Sequence, residues 1–437
     1  MTTFRLVEEG ASVPDFAGFG AQYNQNVFTQ FSRAAGATDE YLGLMKKRLG
    51  LLRPQFVRIF FNGDAFEDPD LMQSFRSAVA LAQGTAGTIN VTFQGIGPRV
   101  HRNRMPQFAE VLDDLVTTQR ISKLRWVTIR NEPNRPPMPK ELYLELYQEL
   151  DRELTRLGSR TRLRFMGGDL LINKQQEWFD FLATKEMADL LDAWSIHVYW
   201  DFWNPRKLVN RLTDVRTIWD ALPRNRRKPL YVTEYGVRGK PGPQKKANPG
   251  FLEDERTPLR RTNINAFQHA WFSLLAADLG YRGTVKWDAY FGRYGTGEPA
   301  KTMAFASIGH PADPHPSPIF ELMRLLALTI GPGARVARFT SDAPEGKLVV
   351  GFSGPAERLS VVGLDTNGAV LNATSPRLST YVLEGLPEST SFLLRSWNHG
   401  GKGRTVTRGR LRSDSSGSLP VRAPIHSVFA ITSIQAP

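Results

Sequence analysis

Short apolar, β-branched runs alternate with amphipathic helical patterns along the first three quarters of the chain, and this alternation restricts the possible folds more than any other feature. Apolar residues recur at helical spacing over 103–120 and 140–157. Thr257 and Pro258 are typical of the start of a further helix that ends near 279. Eight strands are predicted between such helices: 16–22, 56–61, 88–94, 124–130, 162–167, 193–199, 229–233 and 284–290.

Eight strand–helix units over about 320 residues predict a closed barrel, because a doubly wound sheet usually has fewer strands. No GxGxxG or Walker sequence follows any predicted strand, so no nucleotide cofactor is predicted. The expected fold class is therefore α/β, with a (β/α)8 TIM barrel over 15–330.

The pattern changes after a predicted helix at about 316–329 and the sequence Gly-Pro-Gly at 331–333. Short strands separated by Gly, Pro, Asn and Ser predict an antiparallel β-sandwich domain over 331–437. Residues 3–7, within an N-terminal segment 1–14, have strand character and are expected to join that sandwich. The sandwich strands are predicted at 334–340, 347–353, 358–364, 380–384, 391–396 and 424–433.

Composition removes several kinds of chemistry. The chain has no cysteine, which excludes disulfides, thiolate metal sites and a cysteine nucleophile. Its seven histidines show no metal-binding spacing and its acidic residues form no calcium loop, so no metal is predicted. The net charge of +13 is spread along the chain, so no nucleic-acid partner is predicted.

No apolar run approaches the 18 or so residues of a membrane span. The first ten residues lack the basic stretch and apolar run of a secretory signal, which indicates the cytoplasm and leaves a secreted mature fragment as the alternative. These patterns do not determine the oligomeric state.

Carboxylates follow two of the predicted strands, where a barrel of this kind builds its active site. The fourth strand ends in Asn-Glu-Pro-Asn, which includes Glu132, and the seventh ends in Thr-Glu-Tyr-Gly, which includes Glu234. These strands lie almost opposite each other across the barrel mouth. Two carboxylates about 5–5.5 Å apart can hydrolyse a glycosidic bond, one as nucleophile and the other as acid and then base.

The two motifs resemble signatures of the clan A glycoside hydrolases, which are retaining enzymes on a (β/α)8 barrel. Asn-Glu-Pro-Asn followed by a β-sandwich is most similar to family 39, and Thr-Glu-Tyr-Gly is also similar to family 5. The resemblance implies that Glu132 is the general acid/base and Glu234 the nucleophile.

The resemblance also implies roles for residues near these carboxylates. Asn131 would bind the sugar 2-hydroxyl, and His197 would line the sugar subsite. Tyr199 would donate a hydrogen bond to Glu234, and Arg58 would stabilise the ionised nucleophile from below. Trp287 resembles the tryptophan that floors the subsite, often next to a non-proline cis peptide bond.

Other residues that follow the strands are weaker candidates for sugar contacts. Trp200, with Phe202 and Trp203, is predicted to form a stacking platform after the sixth strand. The loop 236–257 is expected either to wall the cleft or to be a disordered insertion. Polar residues at the ends of strands one, three and five are also expected near the sugar: 22–24, Gln94, Asp169 and Asn173.

The sequence thus predicts a retaining glycoside hydrolase acting on β-linked oligo- or polysaccharides without a cofactor. Arg99, His101, Arg102 and Arg104 follow the third strand and would favour an anionic sugar, unless they simply form a solvated basic loop. The alternatives are a catalytically silent glycan-binding barrel and a transglycosylase that uses the same residues.

Overall fold

The structure, a computed structural model, describes most of the chain. It omits the side chains of 98–102 and 260. The described residues are 2–7, 16–94, 98–171, 175–238, 259–294, 315–331, 333–341, 346–354, 358–367, 378–398 and 405–434.

Eight parallel strands close into a barrel, which confirms the predicted fold class. Neighbours along the chain pair in order, and the first strand pairs with the last to complete the cylinder. The strands are β2 (Gly18–Tyr23), β3 (Phe56–Asn62), β4 (Thr88–Gln94), β5 (Leu124–Thr128), β6 (Arg164–Leu170), β7 (Ala193–Asp201), β8 (Leu230–Arg238) and β9 (Gly283–Lys286).

Ten α-helices in the described residues surround or follow the barrel strands. They are α1 (Gln30–Ala34), α2 (Asp39–Leu52), α3 (Pro69–Thr85), α4 (Pro98–Asp113), α5 (Lys140–Arg156), α6 (Gln175–Leu182), α7 (Lys185–Leu190), α8 (Arg206–Ala221), α9 (Asn263–Asp278) and α10 (Pro318–Thr329). Within the described residues, none of the helices combines the length and the apolar composition that a membrane crossing requires.

The start of α9 corrects one prediction. Thr257 and Pro258 lie outside the described residues, and the helix begins at Asn263. Thr262 is its N-cap, because its hydroxyl accepts a hydrogen bond of 3.1 Å from the backbone N–H of Asn265.

The barrel interior is apolar at the bottom and polar at the top. Side chains from six strands fill the bottom, among them Phe56, Trp126, Met166 and Tyr231. Because successive side chains of a strand alternate between interior and helices, each strand offers inward positions at both ends. The apolar bottom leaves the upper inward positions to polar side chains.

The remaining strands form a second domain, a mostly antiparallel nine-stranded sheet in the order β15-β14-β17-β12-β11-β10-β1-β13-β16. Its strands are β1 (Thr2–Leu6), β10 (Arg335–Ser341), β11 (Lys347–Ser353), β12 (Leu359–Asp365), β13 (Leu378–Glu384), β14 (Ser391–Asn398), β15 (Thr405–Arg412), β16 (Leu419–Pro424) and β17 (Ser427–Ser433). β1 inserts between β10 and β13, parallel to β13.

This sheet folds over so that its two ends pack face to face. The ring of Tyr381 on β13 lies 5.8 Å from that of Phe4 on β1 and 4.8 Å from that of Phe429 on β17. β15 was not predicted, because its charged and almost wholly exposed residues lack an apolar run. The predicted strand 424–433 corresponds to β17, and β16, which precedes it across a turn, was not predicted.

The two domains share one apolar core. Phe352 of β11 lies 5.6 Å from the ring of Phe16 and 6.2 Å from that of Phe19 at the base of the barrel. Trp397 of β14 is fully buried in the same core, on the side where α10 packs. The sandwich is therefore packed against the barrel as part of the same folded body.

We expect Phe4→Ala to lower the free energy of unfolding by about 3–5 kcal/mol, since it removes a buried ring from the sandwich core. Leu378→Ala, at a side chain that is 61% exposed in the same sheet, is the control and should change it by less than about 0.5 kcal/mol. Urea unfolding followed by circular dichroism measures both. Equal effects would show that β1 does not help to hold the sandwich together.

Candidate active site

Six polar side chains meet inside the upper end of the barrel, contributed by strands β3 and β6 to β8 and by the segment after β5. We call them the mouth cluster. Hydrogen bonds and close ion pairs connect all of them. The members are Arg58, Glu132, Asp169, His197, Tyr199 and Glu234.

Arg58 lies at the centre of the mouth cluster and is fully buried. Its Nη1 donates to Glu234 Oε2 at 2.6 Å, and its Nη2 donates to Asp169 Oδ2 at 2.7 Å. Nη2 also donates to Asn131 Oδ1 at 2.5 Å and Nε to Thr92 Oγ1 at 3.0 Å. A buried guanidinium needs such acceptors, and two of them are carboxylates that neutralise its charge.

Glu234 is held through both carboxylate oxygens. Tyr199 donates its hydroxyl proton to Oε1 at 2.5 Å, while Arg58 donates to Oε2. The side chain is only 7% exposed, so access to it is from the barrel mouth. The two donors fix the orientation of the carboxylate.

A bulge in β8 allows two consecutive residues to reach the interior. Ile196 pairs with Val232 but His197 pairs with Glu234, so Thr233 is the extra residue. Thr233 Oγ1 donates to Asp169 Oδ1 at 2.5 Å, and Glu234 faces Arg58. A strict alternation would have turned one of these two side chains toward the helices.

Glu132 and His197 form the second pair of the mouth cluster. His197 Nδ1 lies 3.1 Å from Glu132 Oε1 and 3.9 Å from Glu234 Oε2. Burial alone would lower the pKa of His197, but the carboxylates of Glu234 and Asp169 outweigh it and raise that pKa to about 9. At neutral pH the imidazolium therefore donates to Glu132.

The pKa of Glu132 responds to the same contact. Burial acts to raise the pKa of this carboxyl group, yet the hydrogen bond from His197 and its positive charge bring the pKa below the ordinary value. The side chain is 21% exposed and thus more accessible than Glu234. The backbone of Glu132 is left-handed, at φ 49°, which is an uncommon and strained conformation for a non-glycine residue.

Asp169 connects the two halves of the mouth cluster. It accepts from Arg58, from Ser195 Oγ at 2.7 Å and from Thr233, and its Oδ1 lies 3.5 Å from His197 Nε2. Burial acts to raise the pKa of this carboxyl group, but the charges of Arg58 and His197 hold that pKa well below its usual range. Its ionised carboxylate therefore fixes both cationic partners.

The sequence indicated Asp169 only as one of several polar residues at strand ends. The local backbone explains its position. Gly168, at φ 111°, has no room for a side chain, because a Cβ would lie 2.3 Å from the carbonyl oxygen of Ser195. This close approach sits in a bulge of β6 that turns Asp169 inward with φ 53°. The glycine pair before Asp169 is the sequence signal that could have identified the bulge.

Trp287 lies beside Tyr199 of the mouth cluster, half-buried and edge-on to it with ring centroids 6.1 Å apart. The Trp287–Asp288 peptide bond is cis. The indole N–H of Trp287 donates to the hydroxyl of Tyr294 at 2.7 Å, and that hydroxyl donates to Asp288 at 2.7 Å. Tyr294 and Asp288 were not predicted, because they follow the last strand without a recognisable motif.

The structure does not place Trp200 at the site. This residue is 1% exposed and packs outside the barrel, where its ring stacks on Phe272 at 5.0 Å and its indole N–H donates to Gln268. Tyr199 points into the barrel, so its neighbour on the strand must point toward the helices. Phe202 is buried against Trp203, so the predicted stacking platform is not present in this form.

Gln94 ends β4 half-buried beside Asn62, and within the described part of the chain no hydrogen bond links it to the mouth cluster. Asn173, most of the loop 236–257 and the side chains of Arg99, His101 and Arg102 lie outside the described residues. Arg104 is described, and it pairs with Glu67 and covers the ring of Phe66. It is therefore engaged within the protein rather than free for an anionic sugar.

Three groups of the mouth cluster have donor atoms close enough to hold a metal ion. One oxygen of Glu132, one of Glu234 and one ring nitrogen of His197 lie within 4.8 Å of one another. Arg58 and the imidazolium of His197 already supply positive charge to these oxygens. The arrangement therefore suits ionised carboxylates held by cationic side chains better than ligation of a cation.

Comparisons with known proteins identify the fold. No protein-family model matches the chain, and no curated protein matches it. A glycoside hydrolase family 30 endoxylanase from Clostridium papyrosolvens has a similar structure, with a TM-score of 0.66 at 13% identity over 99% of this chain and 100% of the other. A β-xylosidase from Caulobacter crescentus has a TM-score of 0.63 at 14% identity, with all of both chains covered.

An endo-β1,6-glucanase is similar too, with a TM-score of 0.64 at 12% identity over 99% of this chain and 94% of the other. These matches extend over barrel and sandwich together, so they show a shared two-domain architecture. Those that carry a family designation are family 30 enzymes, and the predicted closeness to family 39 is not confirmed.

We expect Asp169→Asn to lower the pKa of His197 from about 9 toward its ordinary value, because a neutral amide no longer stabilises the imidazolium. NMR titration of the histidine ring protons measures this without any assay of activity. Asp189→Asn, at an exposed residue of α7, is the control and should leave the titration unchanged. An unaltered His197 titration in Asp169→Asn would contradict the assigned role of Asp169.

The raised pKa of His197 also predicts a pH-dependent stability. This contribution is complete below about pH 6.5, the ordinary pKa of histidine, and is lost as pH rises through about 9. Lys286, whose pKa burial lowers to about 7, contributes the opposite trend, so the wild type must be compared with His197→Gln. The difference between their free energies of unfolding should shrink between pH 6.5 and 9.5, and a constant difference would contradict it.

Proposed function

We propose that the protein is a retaining glycoside hydrolase that cleaves β-linked glycans, with Glu234 as nucleophile and Glu132 as acid and base. The proposal rests on the two differently held carboxylates of the mouth cluster. Glu234 receives hydrogen bonds at both oxygens, while Glu132 is the more exposed and accepts a hydrogen bond from the imidazolium of His197. A carboxylate held in place beside a second one that can exchange a proton with its neighbour is the pair that double displacement requires.

The spacing of the carboxylates supports retention of configuration. An oxygen of Glu132 and an oxygen of Glu234 lie within 4.8 Å of each other. Retaining enzymes hold the two carboxyl groups about 5–5.5 Å apart, and inverting enzymes hold them about 6.5–9.5 Å apart to admit a water molecule. The short separation favours direct attack by Glu234 on the anomeric carbon.

In the first step a carboxylate oxygen of Glu234 bonds to the anomeric carbon as the glycosidic C–O bond breaks. The leaving oxygen takes a proton from Glu132, which has received it from Nδ1 of His197 across their 3.1 Å hydrogen bond. In the second step Glu132 removes a proton from water and returns it to Nδ1 of His197, while the resulting oxygen attacks the anomeric carbon and breaks its bond to Glu234. Tyr199 and Arg58 hold the oxygens of Glu234 throughout.

The substrate class is inferred from structurally similar enzymes. Their names specify a xylanase, a β-xylosidase and an endo-β1,6-glucanase, all of which act on β-linked sugars. We propose β-xylan, β-glucan and their aryl glycosides as the first substrates to test. The half-buried indole of Trp287 beside Tyr199 offers the apolar face on which a sugar ring can stack.

We expect Glu234→Ala and Glu132→Ala each to lower kcat/KM on a natural glycan by at least about 1,000-fold, equivalent to about 4 kcal/mol. Glu186→Ala, at an exposed residue of α7, is the matched control and should keep full activity. A loss of less than tenfold in both variants would contradict the assignment. Tight glycan binding without product by the wild type would instead favour the silent binding protein.

Azide distinguishes the two roles. With an activated aryl β-glycoside, azide should rescue Glu234→Ala by forming the α-glycosyl azide, because it attacks from the face left by the nucleophile. It should rescue Glu132→Ala by forming the β-glycosyl azide, because it replaces water in the second step. NMR of the products measures the anomeric configuration, and the opposite pattern would exchange the two assignments.

A further inference from the structure

Arginines collect on one face of the sandwich near the edge strand β15. Arg410 and Arg412 pair with Leu393 and Ser391 of β14, and opposite residues of neighbouring strands point to the same face. Arg395 alternates with Leu393 and Ser391 along β14, so it shares that face. Burial and the nearby positive charge of Arg358, just before β12, both lower the pKa of Arg395. We call these four arginines the basic face.

The basic face is not balanced by acidic side chains. Between Glu388 and Asp414 the chain has six Lys and Arg and no acidic residue. Among the described residues none of the four arginines has an ion-pair partner, and Arg412 donates only to the backbone carbonyl of Ser389. Glu321 on the neighbouring α10 lies 3.7 Å from Arg324. Glu357, beside Arg358, is outside the described residues.

Several arginines on the barrel helices, in contrast, are ion-paired. On the barrel helices they pair with acidic residues at short distances, as in Arg76–Asp114 at 2.6 Å, Arg156–Glu153 at 2.8 Å and Arg216–Asp220 at 2.8 Å. Like charges left together repel each other and lower stability. The grouping of four arginines on one face, rather than the lack of an ion pair at any one of them, is therefore the feature that needs an explanation.

Protection of the sheet edge explains only part of this pattern. Charged residues and a bulge on an edge strand prevent pairing with another sheet, and β15 has both, with Arg408 as the extra residue of its bulge. Arg395, however, lies on β14, and Arg358 lies just before β12. Each of these strands is paired with a neighbouring strand on both sides. The charges of Arg395 and Arg358 do nothing for an exposed edge.

We propose that the basic face binds an anionic polysaccharide, one whose sugar units bear carboxylates, and so holds the polymer on the sandwich. The planar guanidinium donates two parallel hydrogen bonds to a carboxylate, and all four cations of the face are arginines. Arg410 and Arg412 stand about 7 Å apart along the strand, which suits successive contacts to one extended chain.

A polysaccharide fits this surface better than nucleic acid. Single-stranded nucleic acids are bound through aromatic side chains that stack on the bases, and among the described residues of β15 there is no aromatic side chain. The choice of a polysaccharide rests on the proposed function, whereas the anionic character of the ligand does not.

Binding of polygalacturonate to the full chain tests the proposal. We expect Arg395→Gln/Arg410→Gln to weaken binding at 50 mM salt by about tenfold or more and to flatten its salt dependence, because fewer counterions are released. The matched control is Arg125→Gln/Arg224→Gln, which removes the same charge from exposed positions below the barrel and should bind as the wild type does. Neutral xylan and single-stranded DNA are the comparison ligands.

Equal binding by the two double variants, or no binding by the wild type, would overturn the proposal. Tighter binding of single-stranded DNA than of polygalacturonate would also overturn it, in favour of a nucleic-acid surface. Hydrolysis of a neutral aryl glycoside is measured in parallel and should be the same in all three proteins. Because binding is measured without turnover, failure of this proposal and failure of the proposed catalytic function are distinguishable.

Discussion

The buried guanidinium of Arg58 is the interaction on which the rest of the mouth cluster depends. A charge taken out of water is very costly unless acceptors surround it, and here two carboxylates and three neutral oxygens do so. The need is mutual, because Asp169 and Glu234 would be as costly without the cation. Removing any one of these three charged groups would therefore leave a buried charge without its partner.

Around this network the barrel supplies positions that a regular sheet would not. Bulges in β6 and β8 turn Asp169 and both Thr233 and Glu234 inward, and Gly168 permits the close approach to β7. Asp169 then faces Arg58 on one side and His197 on the other. Asp169 therefore holds both Arg58, which contacts the proposed nucleophile, and His197, which contacts the proposed acid.

The position of a residue in a strand-end motif predicted membership of the mouth cluster better than the chemical type of its side chain did. Glu132, Glu234, His197, Tyr199 and Arg58 follow from strand ends and from the resemblance, and the structure brings them together. Trp200 was misassigned because aromatic residues after a strand are as often core as binding surface, and only the direction of the strand decides between them. The closeness to family 39 that two short motifs implied is not confirmed.

The sequence alone determined the alternation of eight strands and helices, the change to a β-rich second domain and the two strand-end glutamates, because hydrophobic periodicity and local motifs are written in neighbouring residues. Only the tertiary structure decided that Asp169 joins Arg58 to His197, that the domains share one core, and that four arginines from three parts of the chain form one face. Those features depend on register, bulges and sheet order, which bring distant residues together. No pattern among neighbouring residues in the sequence reveals them.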